Sequence, residues 1–281
     1  MKNKYIIILI NVIIRIYNII VWIKFSLFTD PTMRKCIKKN KSLKNSHVGE
    51  SCFILGTGPS LKTVDFSRLS DKFVFSVNLL YKNPNFHLLN PNIHVFADSI
   101  FFKEDVEGVI IDDIEQFFLK QNVRLFLPIY TQEFIKKYDL TDRVNIYAPI
   151  KHYSKDFHET IDLTKSVTDF GTVIFQCIQI AIYMGFKTIY LLGCDCTGIQ
   201  KVLSNAEDNY CFKVDSYTQK AQKHSQSFAD VESLFNTWTT IFGQYKAIER
   251  YTQKIGVKIY NLSNPTILDS IERKDINEVL K

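Results

Sequence analysis

Residues 56–60 read Gly-Thr-Gly-Pro-Ser, directly after the apolar run 52–55 and ahead of a helical pattern that starts at Leu61. Two glycines in a strand-to-helix turn open backbone conformations closed to other residues and let the chain approach a ligand closely; a helix start offers unpaired N–H groups to an anion. The chemistry this predicts is phosphate binding by Gly56, Thr57, Gly58, Pro59 and Ser60. The alternative is a Gly-Pro turn that only connects strand to helix. The pattern is not the dinucleotide fingerprint, because the third glycine position of G-x-G-x-x-G holds Leu61. The next extended run, 73–77, ends in Asn78 where a ribose-binding acid belongs, so the turn reads as a mononucleotide site of another kind.

Other polar residues fall where a parallel sheet would bring them to the same edge. Asn78 closes the second strand, Asp98 the third (93–98), and Gly193-Cys194-Asp195 follows the buried run 187–192. Ligands of open parallel sheets sit beyond the carboxyl ends of the strands, so these positions face the glycine turn, although Asn and Asp are also ordinary turn residues. Residues 197–227 are polar and aperiodic and hold Tyr210, Tyr217, Lys220, Lys223 and His224; so long a loop within a compact domain is functional or disordered. No Asp-x-Asp closes a strand, and Asp112-Asp113 is assigned to the start of a helix rather than to a metal.

The elements that must position these groups alternate. Extended runs at 52–55, 73–78, 93–98, 124–127, 144–147, 187–192 and 257–262 are interleaved with helical patterns at 114–121, 131–138 and 228–255. A nearly all-apolar helix, VIFQCIQIAIYM, ends at Gly185. This predicts an α/β fold, a Rossmann-like, mostly parallel sheet with helices on both faces. The six cysteines show neither C-x-x-C pairs nor spacing with histidine that would hold zinc, and fit a reducing cytoplasm.

Charge and hydropathy set the N-terminus apart. Residues 1–46 hold ten Lys/Arg and one acid, so the remainder is net negative although the whole chain is +6. A nucleic-acid partner, which wants a basic face on the domain itself, is thereby disfavoured. Residues 5–28 are the most hydrophobic stretch, but Lys4, Asn11, Arg15 and Asn18 share one helical stripe. That pattern predicts an amphipathic helix lying in a membrane interface, with a tilted single span or a hydrophobic helix packed on the domain as the alternatives, followed by a basic tract at 34–44 that meets anionic headgroups. The expected division is a membrane-associating helix and basic linker over 1–46 and a nucleotide-binding domain over 47–281.

The runs GTGPSLKTVDFSRL, SVNLLY, VFAD and GFKTIYLLGCD, with a late His-Ser and KIYNLSNP, resemble two related groups. One is the bacterial lipo-oligosaccharide sialyltransferases of glycosyltransferase family forty-two. The other is the MptE-like proteins of polysaccharide gene clusters, which share a domain with the 6-hydroxymethylpterin diphosphokinases. The resemblance covers residues 51–265 in patches. It implies a variant of the GT-A fold and inverting, metal-independent transfer from a nucleotide sugar, CMP-linked first and UDP-linked second, with no further cofactor. The acceptor would be a lipid-linked or surface glycan of lipopolysaccharide, capsule or O-antigen synthesis, at the cytoplasmic face of the bacterial inner membrane; a homo-oligomer is left open. Gly56, Thr57, Gly58, Pro59, Ser60 and Asn78 would hold the nucleotide, Asp98 would lie near the donor sugar, and Gly193 and Asp195 would border the pocket. His224, followed by Ser225, would be the general base, and Tyr210 and Tyr217 would stabilise the departing phosphate. Where the sialyltransferases carry Ser-Gly before the central helix this chain has Phe170-Gly171, so that phosphate contact either passes to Thr172 or is lost. A diphosphokinase using ATP and a divalent ion, and a non-catalytic nucleotide-binding protein, are the alternatives.

Overall fold

The computed structural model describes residues 2–103, 107–154, 157, 160–198, 210–219 and 230–280. Its centre is a parallel sheet of eight strands: β1 Ser51–Leu55, β2 Val74–Val77, β3 Ile93–Val95, β4 Arg124–Pro128, β5 Asn145–His152, β6 Ser166–Asp169, β7 Thr188–Leu192 and β8 Lys258–Asn261, in the order β6-β5-β4-β3-β2-β1-β7-β8. From β1 the chain winds outward to β6, then crosses back to place β7 on the other side of β1. The gap between β1 and β7 is therefore the topological switch point, where such sheets take ligands.

The strand sequences explain why β1 is central. Cys52 and Ile54 point to one face and Phe53 and Leu55 to the other, and all four are buried. The first pair meets a core built around α5 Val173–Met184 and α6 Val231–Lys254. The second meets a core containing α2 Pro31–Lys39 and α3 Glu107–Ile114. Helices thus cover both faces, as the alternation predicted; the short α4 Gln132–Lys137 and α7 Ile276–Val279 complete the set. α5 stops at Gly185, whose φ of +95° is the left-handed conformation that glycine adopts without a Cβ penalty.

Four local expectations are corrected. The helix expected after the glycine turn is two short 3-10 turns, Pro59–Thr63 and Phe66–Leu69, because Asp65 accepts from the Ser67 N–H and restarts the chain. The helix assigned to 114–121 is α3 followed by a π turn, Glu115–Leu119, and Asp113 lies within α3, where its carboxylate accepts from the Tyr81 hydroxyl at 2.6 Å. An unforeseen strand, β6, follows a long excursion from β5. The basic linker is in large part the helix α2, which buries Met33, Cys36 and Ile37 and keeps its lysines outside. Just beyond it, Asn40 is fully buried and donates to the carbonyls of Ile146 and Leu163.

The N-terminal helix, α1 Lys2–Phe28, is turned inside out relative to a core helix. Asn11 and Asn18 are buried, Asn11 accepting from the Ser154 hydroxyl at 3.0 Å. Asn18 bonds both backbone groups of His152, accepting from its N–H at 2.8 Å and donating to its carbonyl at 3.0 Å. Asn11 and Asn18 of that stripe therefore clamp the helix to the end of β5 and the residues just after it, and Leu9, Ile13, Ile16, Ile20 and Trp22 face outward. By length and composition, Leu9–Phe28 could cross a membrane.

Candidate active site

The loops after β1 and β7 clasp each other over the switch point. Gly56 N–H donates to the Leu192 carbonyl at 2.8 Å and Gly58 N–H to the Gly193 carbonyl at 3.0 Å. Both glycines are required by this contact: a Cβ on Gly56 would lie 2.5 Å from the Gly193 oxygen, and one on Gly58 2.5 Å from Asp195 Oδ2 and 2.6 Å from the same carbonyl. Gly193 itself has φ +63°. Asp195, buried, accepts the Ser60 N–H at 2.8 Å and the Ser60 hydroxyl, so the anion at the start of the 59–63 turn is the protein's own carboxylate. Burial pushes its pKa up while the two Ser60 bonds pull it down. The glycine turn is thus explained first by loop packing, and the helix that aims its N-terminus at the cleft is α5, which starts after Thr172 with no side-chain cap.

A cleft of two joined parts runs along the carboxyl edge of the sheet. The part over the switch point, about 220 Å³, is lined by Gly56, Thr57, Gly58, Pro59, Gly193 and Asp195, with Tyr210 from the far side and Trp238, Ile241 and Tyr245 from α6. Thr172 and Val173 line both parts. The larger part, about 640 Å³, is lined by Asn78, Asp98, Tyr130, Asp169, Gly171 and Gln176 among others. Together they have room for a nucleotide with a sugar attached.

Each polar residue on this edge is set by something beneath it. Asn78 adopts φ +44°, a conformation Asn tolerates, and His94 Nε2 holds its carbonyl at 3.0 Å. That bond makes Nε2 the protonated nitrogen and Nδ1 the acceptor from Ser76 Oγ at 2.7 Å. Burial keeps His94 neutral, its pKa pushed down to about 3. Asp98 accepts from the Ile100 N–H at 3.0 Å, and burial raises its pKa. Gly171 donates its N–H to Gln244 Oε1 of α6 at 3.0 Å, which fixes the loop before α5.

Of the residues singled out from the sequence, Gly56, Thr57, Gly58, Pro59, Asn78, Asp98, Gly171, Thr172, Gly193, Asp195 and Tyr210 line the cleft. Ser60 lies behind it, bonded to Asp195. Tyr217 lines neither part of the cleft; it packs, buried, with Lys82 4.8 Å from its ring centre. Its segment is tied down by Cys211 N–H to the Thr57 carbonyl at 3.0 Å and by Asp215 to Lys82. Lys220, Lys223, His224 and Ser225 lie outside the described residues.

The sequence reading missed Asp169, at the end of β6. Its carboxylate is solvent-exposed and opens onto the larger part of the cleft with Asp98 and Tyr130, and partial desolvation there, opposed by His152, pushes its pKa up to about 6. The signal was present, since Thr168-Asp169 precedes α5 as Asn78 and Asp98 close their strands. Val167 is the only apolar residue of that four-residue strand, too little to mark it. Among the described residues no cluster of three or more His, Cys, Asp or Glu is placed to hold a metal.

Residues 31–201, more than half of the chain and inclusive of both clasped loops, match the profile of a family described as 6-hydroxymethylpterin diphosphokinase MptE-like. The chain belongs to the MptE-like family. No curated protein matches this MptE-like chain in sequence. Solved structures similar to it include the sialyltransferase CstII from Campylobacter jejuni in complex with the substrate analogue CMP-3FNeuAc, at 23% identity and a TM-score of 0.47, covering 80% of this chain and 86% of that one. The same enzyme in complex with cytidine-5'-monophosphate gives 20% identity and 0.44, covering 82% and 86%. The MAf glycosyltransferase from Magnetospirillum magneticum AMB-1 gives 13% identity and 0.48, covering 86% of the MptE-like chain and 38% of its own.

Proposed function

We propose that the protein is a glycosyltransferase that moves a sugar, with inversion, from a nucleotide donor, CMP-linked first and UDP-linked second. The acceptor is a lipid-linked or surface glycan at the cytoplasmic face of a bacterial inner membrane. The observation that carries this reading is the placement of α1: an outward apolar helix is bolted by Asn18 to the end of β5, whose Pro149 lines the cleft, and by Asn11 to Ser154 just beyond that strand. A cleft so mounted suits a substrate presented at a membrane surface.

In the transfer, the acceptor hydroxyl gives its proton to a base as its oxygen bonds to the sugar carbon. The bond from that carbon to the donor phosphate breaks, and its electron pair leaves with the phosphate. The N-terminus of α5 at Thr172 and Val173 offers N–H groups to the growing negative charge, and Tyr210 a hydroxyl. The base is His224, as the resemblance implies, or Asp169, whose proton affinity near neutral pH suits the role. None of these steps calls for a metal.

The test is thermal-shift binding of CMP, UDP, GDP and ATP to the full-length protein in detergent, each with and without EDTA. Stabilisation by CMP or UDP that survives EDTA supports the transferase. Family membership favours a second reading, a diphosphokinase with Asp98 and Asp169 as the carboxylates facing its substrate; stabilisation by ATP alone, and only with a divalent ion, would replace the first reading with it.

A further inference from the structure

We propose that a pocket between α1 and β5 binds the phosphate-bearing headgroup of a membrane lipid; this rests on the membrane reading above. The pocket, about 330 Å³, is lined by Arg15, Asn18, Ile19 and Trp22 of α1 and by Lys151 of β5. Two cations from separate elements meet at one cavity, and the clamp of Asn18 on His152 fixes the distance between those elements. Guanidinium and ammonium groups so held are phosphate binders. Ile19 and Trp22, 57% and 47% exposed, form the outer wall and continue into the outward apolar face of α1, so the pocket opens where a headgroup meets its acyl chains.

Its position ties it to the cleft. Pro149 lines the larger part of the cleft and Lys151 the pocket, so two residues of one strand, about 7 Å, separate them. The next residue, His152, pairs in register with Asp169 of the cleft. A lipid phosphate held at Arg15 and Lys151 would present whatever that lipid carries to the acceptor side of the cleft. A diffuse basic surface, such as the lysines of α2, attracts anionic membranes without such placement.

The experiment uses full-length protein carrying Trp238→Phe, which leaves Trp22 as the single tryptophan. Binding is read by co-sedimentation and by Trp22 emission with vesicles of phosphatidylcholine alone, with added phosphatidylglycerol, or with added phosphatidic acid at equal charge. Free inorganic phosphate is a further arm. The expected result is preference for phosphatidic acid with a blue-shifted emission. Arg15→Gln with Lys151→Gln should weaken that binding by about tenfold more than Lys35→Gln with Lys38→Gln, which removes the same charge from α2. Lys151→Arg should retain it, which separates charge from misfolding. Equal losses in the two double variants, or indifference to headgroup, would overturn the proposal while leaving membrane attachment in place. Free phosphate reproducing the whole effect without vesicles would overturn the lipid as its source. Failure of the protein to bind any vesicle would instead sink the membrane reading on which the proposal stands.

Discussion

Gly58→Ala tests whether the glycine turn serves the clasp between the two loops. The new Cβ would lie 2.5 Å from Asp195 Oδ2 and 2.6 Å from the Gly193 carbonyl oxygen, against 3.4 Å for ordinary contact, so the backbone contact alone forces one loop to retreat by about 0.8 Å. The Gly193 carbonyl is backbone and cannot rotate away as the Asp195 carboxylate could. Such a retreat strains the Gly58 to Gly193 bond, now 3.0 Å, and the Ser60 to Asp195 bond, now 2.8 Å. Overpacking costs about 1–3 kcal/mol and a lost hydrogen bond to a carboxylate about 1.5–3 kcal/mol, so the expected loss is about 3 kcal/mol, or a Tm lower by about 6–12 °C. Gly243→Ala, within α6 and with nothing within 4 Å of its added Cβ, is the control and should raise stability by up to about 1 kcal/mol. Both are read by chemical denaturation, with CMP binding measured alongside. If Gly58→Ala matches the wild type in stability and in CMP affinity, the clasp does not need that glycine and the reasoning fails.

Two further outcomes are expected. Asp169 is an acid whose folded pKa lies above its unfolded value, so it costs stability in full above about pH 6, and the cost fades as pH falls toward 3.8. Asp169→Asn should therefore stabilise the protein at pH 8 by about 1 kcal/mol after allowing for solvent screening, with no gain near pH 4, and should lower glycosyl transfer; a loss of stability at pH 8 would contradict this. Asn18→Ala removes the acceptor of the His152 N–H, and that amide should exchange with solvent about tenfold faster, measured by hydrogen–deuterium exchange; unchanged protection would mean that Asn18 does not hold α1 in place.

What the sequence disclosed follows the physics of each element. Strands β1 and β7 were legible because interior strands of a parallel sheet are apolar on both faces, and α5 because Gly185 punctuates its end. With those placed, most of the cleft residues followed from the rule that strand ends gather ligands. β6 was not legible, and Asp169 went with it. The helix after the glycine turn failed because Asp65 recruits the chain into a second local turn within a few residues. In α1 the polar stripe was visible, since periodicity states which residues share a face. What that face meets is a tertiary fact: Asn11 and Asn18 look inward to the end of β5 and the residues just after it, and the apolar residues look out. Likewise Gly56 and Gly58 suggest close approach, but only the fold shows that the approaching group is the neighbouring loop.

The clamp between Asn18 and His152 also has a timetable. Its partners are 134 residues apart, so at about 5–20 residues per second α1 is synthesised roughly 7–27 seconds before the strand it docks on. For that interval the outward apolar face is already complete while the inward stripe has no protein to meet. A membrane reached in that time would hold the nascent chain by α1 first, and the sheet would then assemble against a helix already lying at the lipid surface. The orientation of the cleft toward the bilayer would be settled during synthesis, before the loops after β1 and β7, themselves 135 residues apart, close over the switch point.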